Sequence, residues 1–288
     1  KAYKYSLTVS FVTIAVSTAS LLFAVFSVLK MVIVPLSKTK NEITDLKSHA
    51  NVLSLISGNG FGREGYPVRG LFSIPFAGLT EDGLPTFINQ DGQKTISSFN
   101  FQEYEKLDFL KYEGPTDPTI TGSFGNILTY KNLKLNVFVT YSFGNVIRLD
   151  PVFSNAYSDL DAMPKEFKNR WMKAGDENVT NIPTIVSTRM NQQYAYLNMA
   201  YNAYNYSDVR IADGGFIRLK EISLSYDLPA KVINFFRLNK LQLKLQATNL
   251  CLLYADSKLN GQDPEFFRSG GVSTPVPKQF TFTVRLGL

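Results

Sequence analysis

The sequence contains one cysteine, one histidine and one tryptophan in 288 residues. Cys251 can form no internal disulfide, and the lone His49 supplies neither a metal-ligand cluster nor a charge-relay base. Cys251 reads as a small apolar strand residue and His49 as a surface residue. A clustered cationic surface is also missing. The net charge of +6 is spread through the chain without a block, which argues against a nucleic-acid footprint. Phosphate-loop signatures are absent, because Gly58-Asn59-Gly60 is followed by no GxxxxGK[ST] or GxGxxG pattern leading into a helix, and the stretch reads as a loop. Two carboxylate pairs, Asp159/Asp161 and Asp263/Glu265, lack a nucleophile and an orienting partner, and the second offers too few oxygens for calcium. Both read as solvated loop charges, and no catalytic residue, metal or cofactor is expected. The chain is not read as an enzyme.

Charge is missing altogether between Lys4 and Lys30. Hydropathy alone would make residues 5 to 29 a membrane-spanning helix, giving a helix-anchored protein with a soluble β domain. Against that, Tyr3, Tyr5, Leu7, Val9 and Phe11 alternate with Lys4, Ser6, Thr8 and Ser10, in a run rich in Val, Thr and Ser. Two strands, about 2 to 14 and 21 to 34, with a turn at Ser17 to Ser20, describe it better. The chain opens at Lys1 with neither a Met nor a leader, as a processed chain or internal fragment would. An apolar fraction of 44% with 13% aromatics excludes disorder.

The organising stretch is Thr119 to Gly144. Leu133, Leu135, Val137, Val139, Tyr141 and Phe143 fall on one face, and Lys134, Asn136, Thr140, Ser142 and Gly144 on the other, with Phe138 the sole intruder. The preceding arm sets Ile120, Phe124, Leu128 and Tyr130 against Thr119, Thr121, Ser123, Gly125 and Thr129, and Lys131-Asn132 is the turn. Each arm has about ten residues with one wholly apolar face, as a tilted strand crossing an outer membrane requires. A soluble β-sandwich hairpin is the alternative.

Elsewhere, Lys38 to Lys47 is polar. Val68 to Phe76 and Leu84 to Ile88 read as short strands around Gly78 to Gly83, and Phe99 to Tyr112 is an aromatic-rich segment of open state. Residues 147 to 212 form a long loop with one short helix capped by Asp161, carrying Pro164 and Glu166 and ending before Gly175. The loop also holds Trp171 and five tyrosines, Tyr194, Tyr196, Tyr201, Tyr204 and Tyr206. Their amphipathic rings suit contact with sugar, peptide or a protein partner, or packing of the loop on itself. Strand signal returns at Phe216 to Tyr226, where the apolar parity slips and predicts a bulge near Lys220-Glu221. Asp227 to Asn239 is a turn, and Leu241, Leu243, Leu245, Ala247 and Cys251 mark the next strand. A loop at 254 to 276 leads to the last strand, with Phe280, Phe282, Val284, Leu286 and Leu288 on one face. Long and short connections alternate. Outer-membrane barrels do the same, with long extracellular loops and short periplasmic turns.

A further set of residues, in order, resembles the SusC/RagA family of TonB-dependent outer-membrane transporters of Bacteroidetes-type bacteria. They are Gly114-Pro115-Thr116-Asp117-Pro118, Gly122-Ser123-Phe124, Leu128-Thr129-Tyr130-Lys131-Asn132, Arg170-Trp171, Gly175-Asp176-Glu177 and Ile182-Pro183. Asp213-Gly214, Phe216-Ile217-Arg218-Leu219-Lys220, Leu224-Ser225-Tyr226 with Pro229, Asn249-Leu250, Asp263-Pro264-Glu265 and Pro277-Lys278 complete the series. Gly65-Tyr66-Pro67, Ala77-Gly78-Leu79 and Gly83 to Phe87 extend it upstream. Residues 1 to 36 match poorly, and the chain ends in Leu288 where the family usually ends in an aromatic.

The resemblance implies an all-β fold: an antiparallel transmembrane β-barrel of the 22-stranded, plugged type. This chain would be its C-terminal portion, with 147–212 and 254–276 as extracellular loops, and the plug and earlier strands elsewhere. A closed barrel of eight or ten strands is the alternative. The implied function is TonB-dependent import of a bulky nutrient, an oligosaccharide or peptide, with a SusD-like lipoprotein and with TonB acting through the plug. Lipid and lipopolysaccharide would surround the wall, in the bacterial outer membrane. Trp171, Tyr194, Tyr196, Tyr201, Tyr204 and Tyr206 are the expected substrate or partner contacts. Lys4, Lys134, Lys244 and Arg285 fall on the lumen parity. A non-transporting structural or adhesive outer-membrane barrel is the rival function.

Overall fold

Period-two alternation over ten or more residues leaves a chain one way to bury its apolar face, and residues 120 to 287 take it repeatedly. The computed structural model describes residues 8–11, 29–33, 35–38, 40–46, 50–58, 62–158, 160–235, 238–267 and 275–287. The strands are β1 (Thr8–Phe11), β2 (Leu29–Ile33), β3 (Pro35–Lys38), β4 (Gly70–Ser73), β5 (Phe76–Leu79), β6 (Pro85–Ile88), β7 (Lys94–Thr95), β8 (Lys111–Pro115), β9 (Ile120–Tyr130), β10 (Leu133–Phe143), β11 (Val146–Arg148), β12 (Ile211–Asp213), β13 (Phe216–Asp227), β14 (Lys240–Ala255) and β15 (Gln279–Gly287). The helices are α1 (Val52–Ser57), α2 (Thr188–Gln193), α3 (Leu197–Asn205) and α4 (Ala230–Phe235).

One antiparallel sheet runs in the order β1-β3-β9-β10-β13-β14-β15, with β2 also on β9. Its register gathers the apolar residues into continuous rows. Tyr130, Leu133, Tyr226, Leu243 and Val284 form one, and Leu128, Leu135, Leu224, Leu245 and Phe282 the next. The opposite face carries rows such as Thr129, Lys134, Ser225, Lys244 and Thr283. Side chains directly opposite in a pleated sheet point the same way, so the sheet has one apolar and one polar face from β9 to β15. Leu245, Phe280, Phe282 and Leu286 stand exposed on the apolar face. Lys134 and Lys244 share a polar row, as expected. Cys251, opposite Leu219, belongs to the apolar side and is exposed.

The Lys131-Asn132 turn is present, with Lys131 at φ 52°. The anticipated bulge is present too: Phe138 pairs with Glu221 and Val139 with Leu219, leaving Lys220 as the extra residue. Phe138 has room on the polar face because it lies over Gly125, where an added Cβ would come within 3.0 Å of its ring.

Several expectations need correction. Phe11 lies opposite Pro35 and Thr8 opposite Lys38, so β1 pairs with β3, beyond the strand end expected at residue 34. The turn at Ser17 to Ser20 lies outside the described residues, as do Lys4, His49, Asp159 and Leu288. Strands at Thr8–Phe11 and Leu29–Ile33 replace the two ends of the alternative 5–29 helix. Among the described residues no helix is long and apolar enough to cross a membrane. The helix expected after Asp161 is only a 3₁₀ turn over Lys165–Asn169, because Asp161 accepts a hydrogen bond from the Ser158 N–H instead of capping. The 227–239 turn contains α4, just after Pro229, where a proline suits a helix start. The sheet does not close on itself among the described residues.

The long connections are not loose. Residues 40–119 and 144–215 fold together at one end of the sheet into a lobe that holds the main hydrophobic core: Leu55, Ile56, Phe72, Ile74, Leu84, Phe87, Phe153, Ala200, Tyr201 and Tyr204 are all buried there. Asn51 caps α1 through a reciprocal pair with Ser54, and Gly58 ends it at φ 68°, a left-handed geometry that favours glycine. Edge-to-face aromatic contacts knit the core, among them Phe153 on Tyr204 at 5.0 Å and Phe87 on Phe99 at 5.4 Å, a geometry that adds to plain burial.

Candidate functional site

The tyrosines of α3 follow helical spacing. Leu197, Ala200, Tyr201 and Tyr204 fall at i, i+3, i+4 and i+7, which places them on one face, and that face enters the lobe core. Tyr201 donates its hydroxyl hydrogen bond to the Thr184 carbonyl, and burial pushes the phenols of both Tyr201 and Tyr204 well above the ordinary tyrosine range. These two rings are structural, with no surface to offer a solute. Tyr206 is half-buried, and its ring stacks under the Arg148 guanidinium at 5.2 Å.

The remaining candidates gather around one turn. Trp171 lies on Gly83, whose φ of 76° and missing Cβ admit the indole ring, and its Nε1 donates to Glu177 at 3.1 Å. Glu177 is held below the usual carboxylate range first by its own backbone N–H and then by that indole. Tyr194 donates to Asp82 at 2.9 Å, and Tyr196, two residues on, is 70% exposed at φ 59°. The structure thus brings Trp171 and Tyr194 together at the Asp82-Gly83 turn, with the exposed Met172 and Ile185 each adjacent in sequence to a residue bound there.

Two arginines anchor the lobe and a third holds the second long connection to the sheet. Arg210 is buried, pairs with Glu166, donates to the Asp150 carbonyl at 3.2 Å and lies over the Phe153 ring. Arg148 donates to the Phe72 carbonyl at 2.6 Å, while its Nε and Nη1 are covered without a partner; burial lowers its pKa to about 10. Arg218, on the polar face of β13, takes Asp263 in two hydrogen bonds of 2.5 and 2.6 Å and Glu265 at 3.2 Å. Asp263 and Glu265 are therefore counterions of one arginine, which explains their spacing without a metal.

Sequence reasoning missed the charged cavity where the lobe meets the sheet, lined by Lys111, Glu113, Asp208, Asp213, Asp256 and Lys258. These residues come from three distant segments, and no local pattern in the sequence connects them. Burial works against the Lys111 charge, but Glu113 and Asp208 outweigh it and raise its pKa.

No family model matches the chain. A curated relative, TonB-dependent receptor P3 of Formosa agariphila, is 25% identical over 209 residues, covering 70% of this chain and 18% of the relative. A solved structure of the RagAB peptide transporter superposes with a TM-score of 0.63 at 21% identity, over 88% of this chain and 26% of that one. The RagAB peptide importer in its 'closed-closed' state gives 0.62 at 21% identity, over 88% and 27%. The chain thus spans about a fifth of the curated relative's length and about a quarter of the solved chains'. The fold is that of a section of the RagAB transporter chain. The chain is thus similar to SusC/RagA-type TonB-dependent transporters, as its motifs implied. Its relatives are receptors and transporters rather than enzymes.

Proposed function

We propose that the chain forms the C-terminal section of a plugged outer-membrane barrel of the 22-stranded type, and serves TonB-dependent import of a bulky nutrient, an oligosaccharide or a peptide. The observation that carries this reading is the sheet itself. It has one apolar face for lipid and lipopolysaccharide, one polar face for a lumen, short connections at one end, and a folded lobe built from the long connections at the other. A lone sheet whose edges among the described residues are β1 and β15 would expose unpaired backbone groups to lipid, where none is tolerated. Further strands of the same wall satisfy those edges. In this reading the lobe, with 147–212 at its centre, and the 254–276 loop face the cell exterior. Trp171, Tyr194 and Tyr196 meet solute or a SusD-like lipoprotein capping that side, and TonB acts through the plug. The likeness to the RagAB peptide transporter supports peptide as one of the two substrate classes.

The test is affinity purification of the tagged receptor from its own outer membrane, together with nutrient uptake in cells with and without it. A co-purifying lipoprotein and an uptake defect that is matched by loss of TonB are expected. No lipoprotein and unchanged uptake of every glycan and peptide tried would instead favour a non-transporting structural or adhesive barrel.

A further inference from the structure

At the end of the main sheet with the short connections, the polar face gathers charge of one sign. Lys240, Gln242 and Lys244 follow one another on that face of β14, and Gln242 stands between Asp227 of β13 and Arg285 of β15. Lys134 of β10 lies in the row of Lys244. Four cations thus share three adjoining rows with one carboxylate, Asp227, which accepts from Gln242 at 2.8 Å and meets Lys134 at 3.7 Å. Lys240, Lys244 and Arg285 form no ion pair among the described residues, and Lys240 and Arg285 are exposed. Diagonal neighbours in such a sheet are about 7–8 Å apart, and like charges close together repel. The cluster costs stability unless something acidic covers it.

A second observation, independent of charge, comes from the next two rows of the same face. Ile127 lies in the row of Asn136, Ser223 and Gln246, and is 43% exposed. Phe138 follows in the row of Gly125, Glu221 and Thr248, half-buried. Two apolar side chains beside each other on an otherwise polar face gain from a surface that removes them from water. A small anion would answer the cations but not this apolar pair. The cations and the apolar pair together extend over neighbouring strands about 4.8 Å apart, a span that suits a polypeptide surface.

We propose that this patch is a docking surface for an acidic, partly apolar polypeptide surface inside the barrel, which in the import reading is the plug. The inference rests on that reading for the identity of the occupant and deepens it in two respects. It gives the sign of charge that the plug presents to β10, β14 and β15, and it fixes the contact at Lys134, Lys240, Lys244 and Arg285, with Ile127 beside them.

The test is carbodiimide cross-linking of the full receptor in detergent, followed by mass spectrometry. The reagent joins a lysine to a carboxylate in contact with it: the carboxylate adds to the carbodiimide, the amine attacks the activated carbonyl carbon, and the urea leaves with one oxygen and two of the ammonium protons. Lys134, Lys240 or Lys244 should be joined to Asp or Glu of the plug. Links from these lysines only to Asp227, links to a separate polypeptide, or no links overturn the proposal. Melting of the receptor adds a test of sign. A patch with no acidic cover repels itself, so Lys244→Gln with Arg285→Gln would raise the melting temperature, as would added salt. A covered patch gives the opposite: the double variant should melt a few degrees lower, and salt should destabilise the parent more than the variant. Ile127→Ser, neutral on a face that only water touches, should also melt lower. A rise in the double variant overturns the docking surface, and if that variant fails to fold the cross-links of the parent decide. Links to the plug in a receptor without TonB-dependent uptake would defeat the import reading and leave the docking surface standing. Uptake with no such link would do the reverse.

Discussion

Arg218 on β13 and Asp263 in the connection between β14 and β15 form an ion pair in which one guanidinium nitrogen, Nη2, reaches both carboxylate oxygens, with both side chains at most 10% exposed. The pair pins the second long connection to the polar face of the sheet. Asp263 also caps the 3₁₀ turn Pro264–Phe266 by accepting from Glu265 N, so the same carboxylate shapes the loop and anchors it. Removing Arg218 leaves Asp263 buried without its counterion, a loss of about 3–5 kcal/mol. Arg218→Ala should sharply raise amide hydrogen exchange across 256–267 and expose that segment to protease, while Arg218→Lys, which keeps a positive charge for Asp263, should give a smaller rise. Unchanged exchange in Arg218→Ala would show that the loop is held by other means.

The buried phenols of α3 make the lobe sensitive to alkali. The folded pKa values of Tyr201 and Tyr204 lie above the ordinary value of 10.0, with burial as the leading cause. Below pH 10 both states hold these protons, and the lobe keeps its full stability. Above it the unfolded chain releases them while the folded one does not, so stability falls as pH climbs toward the folded values. Near-ultraviolet circular dichroism of the lobe should decay above pH 10. Tyr201→Phe should soften that decay and cost about 1 kcal/mol for the lost bond to Thr184. An alkaline profile identical in Tyr201→Phe and Tyr204→Phe would remove the phenols as its cause.

Much of the wall was legible because strand periodicity is a local signal. The 120–143 hairpin and the slip at Lys220 followed from parity alone, and the register places both where the alternation put them. The lobe was less legible. Leu197, Ala200, Tyr201 and Tyr204 carry a helical spacing that identifies a buried face, but asparagines between them make the stretch resemble a polar loop. The Arg218–Asp263 pair spans 45 residues and the Arg148–Phe72 contact 76. Contacts at such separations depend on how the lobe closes, which no window of sequence reports. The β1–β3 pairing was missed for a related reason: a run of Val, Ser and Ala lacking turn residues sets no register.

Gly83 and Trp171 offer an optical test within these 288 residues, where Trp171 is the sole tryptophan. A Cβ on Gly83 would fall 2.4 Å from the indole, at a φ of 76° that an L side chain resists by about 1–2 kcal/mol. Gly83→Ala should lift the ring off the turn, shift its emission to the red and raise its quenching by acrylamide. Glu177→Gln keeps an acceptor for Nε1 and should leave the emission nearly unchanged. If Gly83→Ala emits like the parent chain, the indole does not rest on this turn in solution.

The two faces of β14 can be tested with adjacent residues. Leu245 belongs to the apolar row with Leu224 and Phe282, and Gln246 to the polar row with Ser223 and Thr281. If the apolar row meets lipid, a lysine near the midplane costs about 2–4 kcal/mol, whereas the lumen face tolerates it. Leu245→Lys should therefore lower the amount of heat-modifiable receptor assembled in the outer membrane, and Gln246→Lys should not. Position along the strand and the introduced residue are nearly identical in the two variants, so a difference reports the face alone. Equal assembly of both would deny the sheet its lipid-facing side, and a larger defect in Gln246→Lys would reverse the assignment of lumen and membrane.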